Sequence, residues 1–329
     1  MKSTTRSILW DTGEAKVPVI VRELSGGRPG PTLAVIGGEH GIEINGPAGI
    51  DAVCRDLDGQ PFAGTLIAVP VVSPLNLRDR RHVYRQSSGV GYTNDMPYNS
   101  WAKWPGKPGG DPAERLCALV WETVVSRADV VLNFHCWTRT SASCLLSGTR
   151  VRGMAELAYD FGLPFCDLSC EKADGTLHSV LLAQGRRAAL IEMLSQWWIE
   201  PLSLTRVRQG VLNAMASLGM LKRPIVRPPL QFRVGANETL IRSPAQGLFI
   251  PLREIEQTVK RGDVLGYLFD PETGRRTDIA TPVDGALWLV SRCGANADVT
   301  LEGLHAYAEP GDLLALVKEV IETRTPPAA

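Results

Sequence analysis

The chain has 329 residues, of which 44% are hydrophobic and 21% are charged, as is usual for a globular protein large enough for two domains. Lysine plus arginine and aspartate plus glutamate both number 35, and this balance disfavours nucleic acids and anionic membrane surfaces as partners. The sequence contains no uncharged apolar run of about 18 residues, so we expect no membrane-spanning segment.

Strands and helices are predicted to alternate through the first two thirds of the chain. Apolar runs predict strands at residues 17–21, 33–36, 65–72, 129–134 and 187–193. Amphipathic periodicity predicts helices at residues 47–57, 112–126, 151–161 and 202–218, and residues 177–183 lead into the last strand. This alternation predicts an α/β fold, with a mixed, mostly parallel sheet and helices on both faces.

The pattern changes after residues 222–229, a proline-rich stretch that neither a helix nor a central strand could accommodate. Turn signals at residues 243–247, 259–266 and 281–285 separate short alternating runs and predict a small all-β module, similar to barrel-sandwich, biotinyl-like domains. The predicted domains are therefore 1–228, which is catalytic, and 229–329, which is β-rich. The turn at residues 270–276 has no lysine to carry a swinging-arm cofactor, so we expect the module to wall a site or to form a homo-oligomer contact.

Two segments at the ends of predicted strands carry candidate metal ligands. Residues 37–43 read Gly-Gly-Glu-His-Gly-Ile-Glu and place His40 three residues before Glu43, while residues 133–136 read Asn-Phe-His-Cys and contain His135. Imidazole and carboxylate groups are good zinc ligands, and three protein ligands with one open position define a catalytic zinc site. Because the carboxyl ends of parallel strands share one edge of a sheet, we expect these segments to meet there. The same ligands also suit manganese, cobalt or nickel.

A third apolar run, residues 187–193, contains Glu192 close to its end. A carboxylate at such a position is costly to desolvate unless it is paired or has a chemical role. Zinc lowers the pKa of a bound water to about 7, and a nearby glutamate can then accept a proton and pass it to a leaving amine. Glu192 is therefore the candidate general base, although a structural glutamate paired with Arg186 or Arg187 is an alternative.

These segments together resemble the succinylglutamate desuccinylase and aspartoacylase family, which belongs to the zinc carboxypeptidase clan. The family's entry motif is matched by residues 29–51, which read PGPTLAVIGGEHGIEINGPAGID. Residues 133–136 resemble the strand that carries its third ligand, and residues 175–177, leading to Glu192, resemble its catalytic-glutamate segment.

The resemblance implies a zinc carboxypeptidase-like fold and a residue-by-residue assignment of the site. It implies Zn²⁺ bound by His40, Glu43 and His135, with Glu192 as the acid/base. The family also has a β domain in the position of the C-terminal module.

One departure from the family concerns its Asn-Arg pair, which grips a substrate carboxylate and precedes an aromatic-Pro-Gly. Aligned forwards from Asp95 the pair becomes Pro97-Tyr98, and aligned backwards from residues 104–106 it becomes Trp101-Ala102. Neither alignment supplies an arginine, so dicarboxylate substrates are disfavoured and an aromatic pocket is expected.

A dense cationic run, residues 76–85, precedes that segment. Charge runs are commonly solvated loops, but the family has an arginine near this position that stabilises the oxyanion. Arg81 and Arg85 both fit this role, and the sequence alone does not separate them.

The function expected from these residues is a zinc-dependent amidohydrolase that removes an N-acyl group from a small amino acid or amine. A metallocarboxypeptidase acting on short peptides is the first alternative, and a metal-binding protein without turnover is the second. The expected partner is a small N-acyl substrate. Seven cysteines without Cys-x-x-Cys spacing indicate free thiols in a reducing compartment. The N-terminal residues lack the apolar stretch of a secretory signal, so a cytoplasmic location is expected.

Overall fold

The structure is a computed structural model that describes residues 2–87, 90–138, 140–170, 172–290 and 305–325. Its strands are β1 (Lys2–Asp11), β2 (Lys16–Ser25), β3 (Gly27–Gly37), β4 (Phe62–Val69), β5 (Val130–Cys136), β6 (Cys144–Leu146), β7 (Phe165–Asp167), β8 (Arg187–Met193), β9 (Gln231–Arg242), β10 (Gly247–Pro251), β11 (Thr258–Val259), β12 (Val264–Phe269), β13 (Arg276–Ala280), β14 (Gly285–Val290), β15 (Tyr307–Ala308) and β16 (Leu313–Arg324). Its α-helices are α1 (Asn45–Leu57), α2 (Pro74–Asp79), α3 (Pro112–Thr123), α4 (Met154–Phe161), α5 (Leu177–Ala183) and α6 (Pro201–Ser217). Within these ranges, no helix is both long and apolar enough to cross a bilayer.

A large mixed sheet organises the molecule. Its twelve strands lie in the order β1-β2-β4-β3-β5-β8-β6-β7-β9-β16-β14-β11. The central neighbours β4, β3, β5 and β8 are all parallel, so their carboxyl ends lie side by side at one edge. Ligand-binding crevices in open α/β sheets form at this kind of edge.

Helices cover both faces of the central strands. Leu33 and Val35 of β3 lie in a core with α1, α4 and α6, whereas Ala34 and Ile36 lie in a second core with α3 and α5. Strands buried on both faces read as continuous apolar runs, which is why the sequence reveals them. The predicted α/β class and its mixed sheet are confirmed.

The C-terminal region is antiparallel and β-rich, as predicted. A second sheet, in the order β13-β12-β10-β15, encloses with β9, β14 and β16 a core that includes Phe249, Leu265 and Leu287. The parallel pairing of β7 with β9, in which Phe165 lies opposite Phe232, continues the main sheet into this region. The division after residue 228 stays a prediction.

Individual elements differ from the predictions mainly at their ends. The helix predicted at residues 151–161 begins at Met154, and the cationic run contains the short helix α2. The sequence patterns do not predict β1, which pairs with β2 at an edge of the sheet. Cys54, Cys117, Cys136, Cys144 and Cys166 are buried free thiols, as expected, and Cys293 lies outside the described residues.

Candidate functional site

Three central strands deliver the predicted metal ligands and acid/base to one place. His40 and Glu43 lie in the loop between β3 and α1, where Gly38 adopts φ +66 and turns the chain sharply. His135 of β5 lies directly opposite Glu192 of β8 in the parallel register. Partners in register project to the same face of a sheet, so the sequence-predicted residues converge there.

The Glu43 carboxylate lies between the two predicted histidine ligands. Its Oε1 is 2.9 Å from Nδ1 of His40, and its Oε2 is 2.9 Å from Nδ1 of His135. All three side chains are buried, with 5% or less of each side chain exposed. Burial alone would raise the pKa of Glu43, but the nearby positive charges of His40 and His135 keep it below its ordinary value.

The orientation of these atoms fits a shared cation. Glu43 Oε2 has no hydrogen-bond partner among the described residues despite its 2.9 Å contact with His135, and His40 Nε2 likewise has none. Two ligands of one ion direct lone pairs at a common point, which brings their atoms close without a hydrogen bond between them. Two imidazoles and one carboxylate also form the donor set of many catalytic zinc sites.

His82 is a third histidine at this site, and it was not among the residues predicted from the sequence. Its ring stacks on His40 with centroids 3.8 Å apart, and on Tyr92 with centroids 3.6 Å apart. Ligand atoms of His40, Glu43 and His82 all lie within 4.8 Å of one another, so these three residues also form a possible metal-binding group. Burial holds the pKa of His82 well below its usual value, which keeps the imidazole neutral.

Glu39 is a second buried carboxylate that the sequence analysis did not select. Its Oε1 accepts a hydrogen bond from Asn133 Nδ2 at 2.7 Å and lies 3.5 Å from His135 Nε2. Its Oε2 accepts hydrogen bonds from Ser100 Oγ at 2.8 Å and Trp104 Nε1 at 3.2 Å. Burial alone would raise its pKa, but the hydrogen bond from His135 and the nearby positive charge keep the pKa below its ordinary value.

Glu192 lies in an environment that favours a bound proton. Burial raises its pKa to about 8, and the neighbouring Glu43 carboxylate acts in the same direction, while His135 and Trp137 oppose it. Its Oε2 is buried and has no hydrogen-bond partner in the described part of the chain. A pKa near working pH is what a group that both accepts and donates a proton requires.

The two candidate arginines have different surroundings. The guanidinium of Arg85 forms a two-point ion pair with Glu14, with distances of 2.9 and 2.7 Å, and its side chain is 55% exposed. Arg81 is half-buried and lines a pocket of about 610 Å³ together with Gly41, Ile42 and Trp197, beside the loop that carries His40 and Glu43.

A cavity of about 320 Å³ opens onto the site. Its wall contains all four predicted residues, His40, Glu43, His135 and Glu192, together with three aromatic side chains, Tyr92, Trp101 and Trp137. Neither Arg81 nor Arg85 is among the described residues that line it.

The segment expected to carry the family's carboxylate clamp forms part of this wall. Tyr98 is buried against Trp10 and Tyr84, with ring centroids 6.1 and 4.9 Å away. Trp101 instead faces the cavity, and its ring lies edge-on to His135 with centroids 5.0 Å apart. Of the two alignments, the backward one therefore places its residue at the site.

The sequence model of the "Succinylglutamate desuccinylase/Aspartoacylase catalytic domain" matches residues 29–218, which is more than half of the chain. The protein belongs to this family. Family members are deacylases, hydrolases that act on amides, and the matched residues include all six sequence-predicted site residues.

Two further comparisons agree over nearly the whole chain. The "N-alpha-acetyl-L-2,4-diaminobutyric acid deacetylase" of Halomonas elongata is 23% identical over 322 residues, which cover 94% of this chain and 88% of that protein. The succinylglutamate desuccinylase/aspartoacylase structure from Rhodobacter sphaeroides is 17% identical with a TM-score of 0.74, covering 97% of this chain and 96% of that one. The product-bound Ectoine utilization protein EutE (DoeB) of Ruegeria pomeroyi is 17% identical with a TM-score of 0.71, covering 96% and 95%. These structures share the fold.

Proposed function

We propose that the protein is a zinc-dependent amidohydrolase that removes an N-acyl group from a small amino acid or amine. The observation that carries this proposal is the convergence of His40, Glu43, His135 and Glu192, from three separate strands, on the wall of one cavity. Membership of a deacylase family supports the same chemistry.

His40, Glu43 and His135 are the proposed metal-binding residues. Both histidines direct Nδ1 at the Glu43 carboxylate, one at each oxygen. His82 is the alternative third ligand, but its ring is nearly parallel to that of His40, with an angle of 25° between the planes. Parallel rings direct their in-plane lone pairs along separate lines, which favours His135. When bound there, a zinc ion would polarise the amide carbonyl and lower the pKa of a nearby water.

Glu192 is the proposed acid/base. Glu192 lines a cavity that the proposed ligands also line, where its carboxyl group can accept a proton from the attacking water and donate it to the leaving nitrogen. The raised pKa of this carboxyl, about 8, supports both halves of the transfer because neither protonation state is strongly disfavoured near neutral pH.

Of the two arginines, Arg81 is the proposed oxyanion-stabilising residue. The Arg85 side chain is engaged by Glu14, whereas Arg81 lies beside the loop of His40 and Glu43. A guanidinium that approaches the carbonyl oxygen as substrate binds would stabilise the charge that develops there.

The proposed substrate is a small N-acyl compound with an aromatic or apolar group. The indoles of Trp101 and Trp137 and the ring of Tyr92 form one wall of a cavity whose volume, about 320 Å³, suits a small molecule. The deacetylase relative acts on an N-acetylated amino acid, which supports a small acyl group.

Metal analysis combined with a substrate screen tests the function. Purified protein should contain about one zinc per chain and should hydrolyse at least one member of a panel of N-acyl amino acids and amines. A Glu192→Gln variant should retain the metal and lose hydrolysis by about 100-fold or more, the scale of general acid–base catalysis. Hydrolysis unaffected by chelators, or wild-type turnover in this variant, would contradict the proposal. Metal binding without hydrolysis of any panel member would instead favour a protein without turnover.

A further inference from the structure

Glu39 is a buried acid that the proposed mechanism does not use. Only 1% of it is exposed, although it adjoins the proposed ligand His40. A carboxylate taken out of water is unfavourable unless hydrogen bonds or opposite charges compensate for the lost hydration. Its position therefore calls for a role beyond packing.

The groups around the carboxylate are all donors. Asn133 Nδ2 donates to Oε1, while Ser100 Oγ and Trp104 Nε1 donate to Oε2. The backbone carbonyl of the same residue accepts a further hydrogen bond, from Asn76 Nδ2 at 2.6 Å. These contacts come from three separate segments of chain and hold Glu39 in one orientation.

In that orientation Oε1 lies 3.5 Å from His135 Nε2, the ring nitrogen opposite the one that faces Glu43. Asn133 Nδ2, which donates to Oε1, lies 3.0 Å from the same ring nitrogen. A histidine can offer the Nδ1 lone pair to a metal only if its proton is on Nε2. When Nδ1 binds a metal, the proton on Nε2 needs an acceptor. The amide nitrogen of Asn133 cannot accept it, so Glu39 Oε1 is the acceptor that the described residues offer beside Nε2, and this hydrogen bond would fix the ring.

We propose that Glu39 is a positioning residue, which orients His135 and selects the tautomer that presents Nδ1 to the metal. This role rests on the proposed metal site. Glu39 is not among the described residues that line the cavity, so it acts through His135.

The same network connects His135 to the cavity wall. Ser100 and Trp104 flank Trp101, the residue whose indole lies edge-on to the His135 ring. The segment that lacks the family's carboxylate clamp thus provides two of the donors that fix Glu39. A change in this segment is therefore transmitted to the metal ligand as well as to the pocket.

A Glu39→Gln substitution provides the principal test. Glutamine keeps the shape of the side chain but replaces one acceptor oxygen with a donating NH₂ group. Since Asn133, Ser100 and Trp104 all donate to the carboxylate, at least one of these donors would then face another donor. Zinc affinity, measured by competition with a chelator, should fall by about 10- to 100-fold, as for other residues that orient a metal ligand. The absorption spectrum of the cobalt-loaded variant should also shift, because the ligand geometry changes. Glu238→Gln, at an exposed glutamate on β9, is the matched control and should change neither readout.

The outcomes separate this role from a purely structural one and from failure of the proposed function. Zinc affinity within twofold of wild type, with an unchanged cobalt spectrum, would overturn the role of Glu39. Wild-type protein that binds neither zinc nor cobalt would overturn the proposed metal site itself. If Glu39→Gln does not fold, Ser100→Ala and Trp104→Phe each remove one donor to Oε2 and should weaken zinc binding by about 2- to 10-fold, a smaller loss than for an orienting residue itself. Unchanged affinity in both of these variants would equally overturn the proposal.

Discussion

The edge of the central sheet and the C-terminal β region are built on different physical principles. At the ends of β3, β5 and β8, the chain buries Glu39, Glu43 and Glu192 beside histidines, where several polar atoms lack partners among the described residues. The C-terminal region encloses a core made largely of hydrocarbon, with Phe249 and Leu265 fully buried. Buried charge is thus concentrated where chemistry is proposed, and the second region contributes stability and support.

The two regions meet at the cavity wall. Ser141 pairs with Leu289 of β14 in an isolated bridge, and the ring of Trp137 lies edge-on to Trp288 with centroids 6.0 Å apart. Since Ser141 and Trp137 line the cavity, the C-terminal region holds part of the site in place. This arrangement supports the expectation that the β module walls the active site.

The largest expected effect comes from removing a proposed metal ligand. His135→Ala should lower zinc affinity by more than about 100-fold, beyond the range of residues that only support a ligand. His82→Ala is the matched comparison, since His82 is also buried and stacks on His40. The zinc affinity of His82→Ala should stay within about 10-fold of wild type, because the loss of a ring that stacks on a ligand affects the metal only indirectly. Chelator competition measures both affinities. A larger loss of zinc affinity in His82→Ala than in His135→Ala would assign the third ligand to His82.

Removing a large side chain from each core tests whether the two regions are independent. Phe249→Ala, in the C-terminal core, should lower the free energy of unfolding by about 3–5 kcal/mol because it leaves a cavity. Zinc affinity of the folded protein should remain within twofold of wild type. Phe134→Ala makes a similar cavity one residue before His135, on the opposite face of β5, and should reduce both quantities. Denaturant titration measures the free energy of unfolding, and chelator competition measures the zinc affinity. A loss of zinc affinity in Phe249→Ala would show that the metal site depends on the C-terminal core.

The pH dependence of stability should reveal the raised pKa of Glu192, about 8. Because this pKa lies above the value of an unfolded glutamate, about 4.3, the folded state binds the proton more tightly. Its contribution to stability is complete below about pH 4 and is lost as pH rises towards and through 8. In metal-free protein, the stability of wild type relative to Glu192→Gln should therefore fall between about pH 5 and 9. Thermal melts at several pH values measure this difference, and a constant difference would contradict the pKa shift.

The parts of the candidate site that depend on local pattern could be predicted from the sequence. Strands buried on both faces read as continuous apolar runs, so a polar residue at the end of such a run is easy to recognise in the sequence. This is the position of His40, Glu43, His135 and Glu192, which lie at the end of an apolar run or just after it. The central helices were predictable for a similar reason. At α3, for example, the N-cap Asp111 and Glu114 in the first turn form a capping box around Pro112, the first residue of the helix.

Features that depend on distant contacts were not predictable. Glu39 adjoins a predicted ligand, but its partners Ser100 and Trp104 lie more than 60 residues away. His82 is buried only because the fold places Tyr92 and His40 on either side of it. The ion pair of Arg85 with Glu14, 71 residues earlier, likewise has no local signal, so the two candidate arginines could not be separated.

The smallest expected effect concerns the ion pair that joins the two regions. Arg206 of α6 contacts Glu256 through two hydrogen bonds of 2.8 and 2.7 Å, and Glu256 also accepts one from the backbone nitrogen of Ser143. Both charged side chains are less than 20% exposed, so Arg206→Leu leaves a partly buried carboxylate without its main partner. The free energy of unfolding should fall by about 1–3 kcal/mol.

Arg208 provides a matched control for this ion pair, because it pairs with Asp56 from the same helix but is 54% exposed. Arg208→Leu should cost less than about 1 kcal/mol, as is usual for a surface pair. Only Arg206→Leu should also raise KM. Ser143 follows the cavity-lining Ser141 closely, and this variant removes the hydrogen bond that Arg206 donates to Ser143 Oγ as well as the main partner of Glu256, which accepts from the Ser143 backbone. Denaturant titration and steady-state kinetics on a hydrolysed N-acyl substrate separate the two effects. Equal losses of stability in both variants, with no change in KM, would show that the C-terminal region does not position the cavity wall through this contact.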